Sequence, residues 1–162
     1  MYRFYYKYFP IYLEIFILEK QSSFFMYKIN FKSNPSKKDR IDKNNQLIKF
    51  INKINDYFDA YFYDKKTISP PEYIVYGTPF QKSIWNTLTI IPFGSTISYQ
   101  ELGIFAGYDA NYSRAVGNAC NKNPIPIIIP CHRVVGKNHQ LFGFSGGIEI
   151  KKWLLEHEGC KI

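Results

Sequence analysis

Cysteine is scarce in this chain of 162 residues and comes late: only Cys120, Cys131 and Cys160 are present. An odd count with no secretion signal argues against a disulfide framework and for a reducing compartment. No cysteine precedes Cys120 and no histidine precedes His132, so the first hundred residues offer zinc no thiolate or imidazole. The later candidates Cys120, Cys131, His132, His139 and Cys160 lack any paired ligand spacing, which argues against a metal there too. Long apolar runs are also missing. Met1 to Lys20 is rich in aromatics but broken by Arg3, Lys7, Glu14 and Glu19, too often for a bilayer span or a signal peptide. The expectation is a soluble, intracellular protein. Acidic residues are few: 13 stand against 21 Lys and Arg, a net charge of +8. A basic balance favours a polyanionic partner through counterion release, nucleic acid being the usual one. The excess is spread along the chain, so charge alone is weak support.

What is abundant is aromatic and aliphatic. Fourteen tyrosines and fourteen phenylalanines supply ample material for a core, and the length suits one domain or two small ones. The first part reads as strands followed by a helix. Tyr12 to Lys20 reads as a strand, and Gln21-Ser22-Ser23 as a turn. In Phe24 to Phe31 the residues Phe25, Tyr27, Ile29 and Phe31 alternate with Met26, Lys28 and Asn30. Lys32 to Asn45 is a polar loop. From Asn45 to Phe62 a stripe of Leu47, Ile51, Ile54, Phe58 and Phe62 predicts an amphipathic helix. Lys65 to Tyr73, with Pro70 and Pro71, is the natural linker.

The second part opens on a helix start. Thr78 is an N-cap, Pro79 the first helical residue, and Gln81 completes a capping box. Phe80, Ile84, Leu88 and Ile91 line one face until Pro92 and Gly94 stop it. A second capping box, Ser98 with Glu101, starts a helix in which Leu102 and Phe105 face inward and Gly107 closes the end. After Tyr108-Asp109-Ala110-Asn111 another helix runs to about Lys122. Two short helices across a tight turn suggest a helix-turn-helix. The second helix carries Arg114 and then Ala115, Gly117 and Ala119. Small residues there would suit either close approach to DNA or tight helix packing. A last helix follows Ser145-Gly146-Gly147, with Ile150, Trp153 and Leu154 on its apolar side and Gly159 as its stop. Glu158 falls in its last turn, where the macrodipole disfavours an acid. Such an acid suggests a cationic or hydrogen-bonding partner, unless it is simply exposed and screened.

One stretch carries chemistry. Asn123-Pro124-Ile125-Pro126-Ile127-Ile128-Ile129-Pro130-Cys131-His132-Arg133-Val134-Val135 is apolar, stiffened by proline, and ends on a thiol beside an imidazole. Pro124 and Pro126 exclude a helix interior or a central strand. A thiolate is a strong nucleophile, and a nearby base makes it available near neutral pH. A buried structural cysteine is the other reading of these residues.

Pro-Cys-His-Arg-Val preceded by Asn-Pro-Ile-Pro resembles the signature of the 6-O-methylguanine-DNA methyltransferases, the methylated-DNA–protein-cysteine methyltransferases. The resemblance runs from about Gly77 to Gly159. It takes in Gly77-Thr78-Pro79-Phe80-Gln81, Trp85, Ile91-Pro92-Phe93-Gly94 and Trp153-Leu154-Leu155-Glu156-His157-Glu158-Gly159. It implies an α/β protein with a small N-terminal domain of antiparallel sheet plus helix, over residues 1–75. A mostly helical C-terminal domain with a helix-turn-helix follows, over residues 76–162. It implies a DNA-repair enzyme, cytoplasmic or, in a eukaryote, nuclear. Its partner would be double-stranded DNA containing alkylated guanine, with no membrane and no cofactor. The protein would act as a monomer. The zinc that some relatives bind in the first domain has no ligands here.

The resemblance further implies that Cys131 receives the alkyl group from a flipped-out 6-O-alkylguanine, once and irreversibly. His132, through a water, would take the thiol proton, and Glu158 would orient and charge the imidazole. Asn123 would support the turn holding the site. Tyr99 would hydrogen-bond the ring nitrogen of the leaving guanine, and the Ser145 N–H the alkylated oxygen. Carbonyls of Cys131 and Val134 would read the exocyclic amine. Arg114 would fill the vacated stack, with Ala115 and Gly117 on the helix face toward the minor groove. His139 stands where relatives often have glycine, and Asn138 is able to supply a positive φ instead. An ordinary thiol is about 3% ionised at neutral pH, so the His132–Glu158 pair is expected to lower its pKa toward about 7. A cysteine hydrolase built on Cys131 and His132, or a damage-recognition protein that transfers nothing, are the alternatives. Adjacent residues rarely aim both side chains at one atom, and no separate oxyanion-hole signature is present. The non-transferring relatives replace the cysteine, which here is in place.

Overall fold

Alternation of apolar residues in a β-rich, aromatic sequence drives the start of the chain into an antiparallel sheet. Strands β1 (Tyr2–Tyr8), β2 (Ile11–Lys20) and β3 (Ser23–Lys32) pair in chain order. The computed structural model describes residues 1–33, 44–66 and 68–162. Gln21 and Ser22 both have positive φ, the backbone a two-residue hairpin turn requires. Strand β1 is hidden in the sequence, because every residue of Tyr2–Tyr8 is aromatic or basic and neither period stands out. The alternation expected within β3 also slips. Phe24, Met26 and Ile29 are the buried residues rather than an unbroken odd-numbered set. A bulge between Phe16 and Ile17 moves the register, so that Phe16 faces Lys28 but Ile17 faces Met26.

Helix α1 (Asn45–Phe62) has the bounds its apolar stripe indicates, with the Asn44 side chain capping the Gln46 and Leu47 N–H groups. Leu47, Ile51, Ile54, Phe58 and Phe62 are all buried. Rings from α1 interleave with one face of the sheet: Phe50 stacks on Phe24, and Phe58 and Phe62 pack against Tyr6. The end of the linker is pinned to the sheet, since Met26 N–H donates to Glu72 O and Ile74 N–H donates to Met26 O. Of the polar loop expected over Lys32 to Asn45, residues 34–43 lie outside the described residues.

The chain divides into two units, Met1–Val75 and Tyr76–Ile162. In the second, α2 (Pro79–Leu88) begins at the Thr78–Gln81 capping box. Ile84, Trp85 and Leu88 are its buried residues, and the Trp85 indole donates to Ala119 O at 2.9 Å. Phe80 packs instead on Tyr108 and Tyr112. Strand β4 (Ile97–Ser98) leads into α3 (Tyr99–Phe105), capped by Ser98 and Glu101 as expected. A 3-10 turn (Ala110–Tyr112) precedes α4 (Ser113–Asn121), completing the helix-turn-helix. Phe105 does not face inward. It is 64% exposed, because α3 ends there and its buried surface runs through Leu102 and Gly103. A Cβ on Gly103 would stand 3.3 Å from a Val116 methyl, so glycine there lets α3 and α4 close up. Two residues after the cysteine turn, β5 (Val134–Val135), pair in parallel with β4. Helix α5 (Ile148–His157) is the last element of this unit. Among the described residues no helix is long and apolar enough to cross a membrane.

Candidate active site

The proline-rich segment folds into a stack of short turns rather than a strand. Ile129 N–H bonds to Ile125 O at 3.1 Å, Cys131 N–H to Ile129 O at 2.8 Å, and Arg133 N–H to Pro130 O at 3.0 Å. Ile127 has φ +76, a left-handed backbone that strains a β-branched residue. It follows Pro126 and is itself buried, so surrounding contacts must hold it there. Asn123 locks the assembly. Its Oδ1 accepts from Ile125 N–H at 3.1 Å, and its Nδ2 donates to Ile129 O at 2.7 Å and to Cys131 Sγ at 3.0 Å. The residue expected only to support the turn thus also touches the sulfur.

Cys131 opens a 3-10 turn, Cys131–Arg133, and is 3% exposed. Burial pushes its thiol up to about 11, and the Asn123 hydrogen bond and the Lys151 charge offset this only in part. The expected thiol near 7 is therefore not what the resting protein holds. Desolvation disfavours the thiolate, and the group that donates to the sulfur is a neutral amide.

His132 is fully buried, with Nε2 2.7 Å from Glu158 Oε1. Burial lowers its pKa despite that carboxylate. Glu158 is the C-cap of α5 rather than part of its last turn. Burial pushes its carboxyl up, but the hydrogen bonds and charges of His132 and Arg133 prevail and hold it well below the usual carboxylate range. Arg133 Nε and Nη2 reach the two carboxylate oxygens at 2.8 and 3.0 Å, Nη1 donates to Ile91 O at 2.6 Å, and the Gly94 N–H reaches the carboxylate at 3.1 Å. The sequence alone gives Arg133 no role of its own. Its place inside the Cys-His-Arg turn was the available signal.

Lys151, on α5, has no motif in the sequence to mark it. It is 1% exposed. Its ammonium donates to Val134 O at 2.6 Å, Phe142 O at 3.2 Å and the Tyr99 hydroxyl at 3.3 Å, one acceptor for each N–H. Burial draws its pKa down. The buried residues of α5 are Lys151, Leu154 and Leu155; of the expected Ile150, Trp153 and Leu154 only Leu154 is buried, the other two being half-buried. Together with Glu158 they form a 151–154–155–158 stripe that a hydropathy reading overlooks, because two of its four members are charged.

Tyr99, the first residue of α3, sits half-buried between Lys151 and α4. Burial, with Cys120 and Cys131 nearby, raises its phenol well above the usual range. Its ring is 3.6 Å from where a Gly117 Cβ would stand, so the small residue of α4 faces the tyrosine. Arg114 and Ala115 are exposed on α4. Val134 is buried, and its carbonyl, expected to read a base, already accepts from Lys151. The Cys131 carbonyl accepts from the Val134 N–H. Ser145 is exposed beyond buried Phe144, in a turn closed by Gly147 N–H to Phe144 O at 2.9 Å. Asn138 and His139 both take positive φ, in the 3-10 turn Lys137–His139. The structure thus brings Asn123, Cys131, His132, Arg133 and Glu158 into one hydrogen-bonded cluster. Lys151 links Tyr99 to Val134, and Arg114 and Ser145 stand outside both sets of bonds.

A family model described as 6-O-methylguanine DNA methyltransferase, DNA binding domain, matches residues 79–160. The methylated-DNA–protein-cysteine methyltransferase of Methanosarcina acetivorans is 40% identical over 131 residues, covering 81% of this chain and 83% of the relative. That of Methanosarcina barkeri is 44% identical over 110 residues, covering 68% and 69%. The crystal structure of Mycobacterium tuberculosis OGT in complex with DNA superposes with a TM-score of 0.72 at 33% identity, covering 91% of this chain and 86% of that one.

Proposed function

Because this chain belongs to the 6-O-methylguanine DNA methyltransferase family, we propose that it repairs alkylated guanine in duplex DNA as a monomer, and that Cys131 is the residue that takes the alkyl group. The observation that carries this assignment is the bond between Asn123 Nδ2 and Cys131 Sγ. It engages one lone pair of the buried sulfur and fixes the direction from which a carbon electrophile would be met.

The step is a displacement at the alkyl carbon. The carbon–sulfur bond forms as the carbon–oxygen bond breaks, and the electron pair stays on the guanine. In the resting site the thiol keeps its proton. His132, through an intervening water, accepts that proton, and Glu158 stabilises the imidazolium that results. Arg133 keeps Glu158 ionised for this task. The leaving guanine needs a proton or donor of its own, which Tyr99 supplies to the ring nitrogen while the Lys151 ammonium polarises its hydroxyl. The Ser145 N–H donates to the departing oxygen. The Cys131 and Val134 carbonyls, each with a second lone pair, take the exocyclic amine. Arg114, exposed on α4, holds the place of the flipped nucleotide, exposed Ala115 lets that helix approach the DNA closely, and Gly117 makes room for the Tyr99 ring.

The product is a thioether. It offers water no polarised carbonyl, so the protein is consumed after one transfer. Single-turnover reaction with methylated duplex DNA followed by peptide mass spectrometry should find one added methyl group, on Cys131. Cys131→Ser should abolish transfer and leave DNA affinity within a few-fold of the original. Label on Cys120 or Cys160 would refute the assignment.

A further inference from the structure

The cross-strand register sorts the side chains of the three-stranded sheet into two faces. One face carries Phe4, Tyr6, Ile11, Leu13, Ile15 and Met26 into the core beneath α1. The other is a grid of three rows. Arg3, Phe16 and Lys28 are opposite one another, as are Tyr5, Glu14 and Asn30, and Lys7, Tyr12 and Lys32. The two outer strands therefore bear four cations, and the middle strand bears two aromatic rings with one acid between them.

The acid does not cancel the face. Glu14 is 5% exposed and accepts from the Tyr5 hydroxyl at 3.1 Å and Asn30 Nδ2 at 3.1 Å, and it pairs with Arg3 at 3.4 Å and Lys32 at 3.1 Å. It orders its neighbours and leaves a net charge of +3 on the grid. Lys7, Lys28 and Lys32 are exposed, and Phe16 and Tyr12 half-exposed. Lys28 Nζ lies 5.9 Å from the Phe16 ring centre and the Arg3 guanidinium 5.6 Å from that of Tyr5. Cations held beside rings lose little freedom when they bind. Along each outer strand the cations are four residues apart, about 13 Å, with the middle-strand rings between the two rails.

We propose that this sheet face binds single-stranded nucleic acid, with phosphates on the Arg3–Lys7 and Lys28–Lys32 rails and bases against Phe16 and Tyr12. Cationic rails with aromatic platforms are the arrangement that holds unpaired strands without regard to sequence. A duplex keeps its bases stacked inside and could use only the charges. An acidic peptide offers no flat rings to Phe16 and Tyr12. The site lies wholly in the first unit and does not depend on the chemistry at Cys131.

The test uses the full chain and a fluorescent oligothymidylate, which contains no guanine. Lys7→Gln with Lys28→Gln should reduce the salt dependence of binding, lowering the slope of log affinity on log salt by about 1.4 for two lost phosphate contacts. Phe16→Leu with Tyr12→Leu keeps the apolar surface but removes the rings, and should weaken binding about tenfold. Iodouracil-containing oligonucleotides should cross-link to peptides bearing Tyr12 or Phe16. Transfer to Cys131 from free 6-O-methylguanine should be unchanged in both pairs of variants. Unaltered slope and affinity, or cross-links confined to residues 76–162, would overturn the proposal. So would displacement of the oligonucleotide by polyglutamate as readily as by unlabelled strand. Loss of methyl transfer by the unsubstituted protein would refute the assignment of Cys131 and leave this surface untouched.

Discussion

Arg133 grips both oxygens of Glu158, through Nε at 2.8 Å and Nη2 at 3.0 Å, while the same carboxylate meets His132 Nε2 at 2.7 Å. With Glu158 held ionised, His132 Nε2 is the donor in that bond and Nδ1 is the nitrogen that accepts a proton. Arg133, which makes no bond to the imidazole itself in this set, thus decides the tautomer of His132 through Glu158.

Removing that arginine should be costly. Arg133→Met leaves a buried carboxylate without its main counter-charge, a loss of about 3–5 kcal/mol, to be read by denaturant unfolding. The acid limb carries a signature too. Glu158 has a folded pKa below its unfolded value of about 4.3, so its contribution to stability is full above that pH and is lost as pH falls through the folded value. The unsubstituted protein should lose stability steadily below about pH 4.3, and Glu158→Gln should show a shallower acid limb.

If Glu158 stabilises the imidazolium, Glu158→Gln should slow alkyl transfer by about a hundredfold at neutral pH. The missing rate should return as the pH is raised toward that of a thiol pushed up to about 11. Combining it with His132→Gln should cost little beyond the worse single variant, as for groups acting as a unit. A lowered melting temperature with an unshifted pH–rate profile would show that Glu158 only packs the end of α5.

Lys151→Met keeps the length of the side chain but deprives Val134 O, Phe142 O and Tyr99 of their shared donor. Transfer from duplex substrate should fall about tenfold or more. In the Tyr99→Phe background the same change should do much less, because the hydroxyl it acts through is gone. Additive losses would assign Lys151 to stability alone, which thermal unfolding of the two single variants would report.

Arg114 is exposed and stands outside the hydrogen-bonded cluster around Cys131 and Glu158. Arg114→Ala should slow repair of a duplex far more than reaction with free alkylated base, since only the duplex must hold a nucleotide out of its stack, at a few kcal/mol. Equal losses on both substrates in stopped-flow reactions would argue against that role.

Local rules determined much of this protein from sequence. The stripe of α1, the two capping boxes, the helix-turn-helix and the proline-stiffened approach to Cys131 each depend on neighbours within a few residues, so period and punctuation were enough to read them. Tertiary structure decided what depends on distant partners. The bulge at Phe16 reversed the faces within β3, and β1 needed its pairing with β2 to declare itself. Phe105 was turned outward by the early end of α3 and the close fit of Gly103 on Val116. Arg133 and Lys151 are charged, and charge in a sequence reads as surface. Only the fold brings Glu158 across 25 residues to Arg133 and sets three acceptors around Lys151. The thiol followed the same logic. Its identity and neighbours were legible, but its pKa is set by how much water the packed chain excludes, and desolvation is a property of the whole fold rather than of the motif.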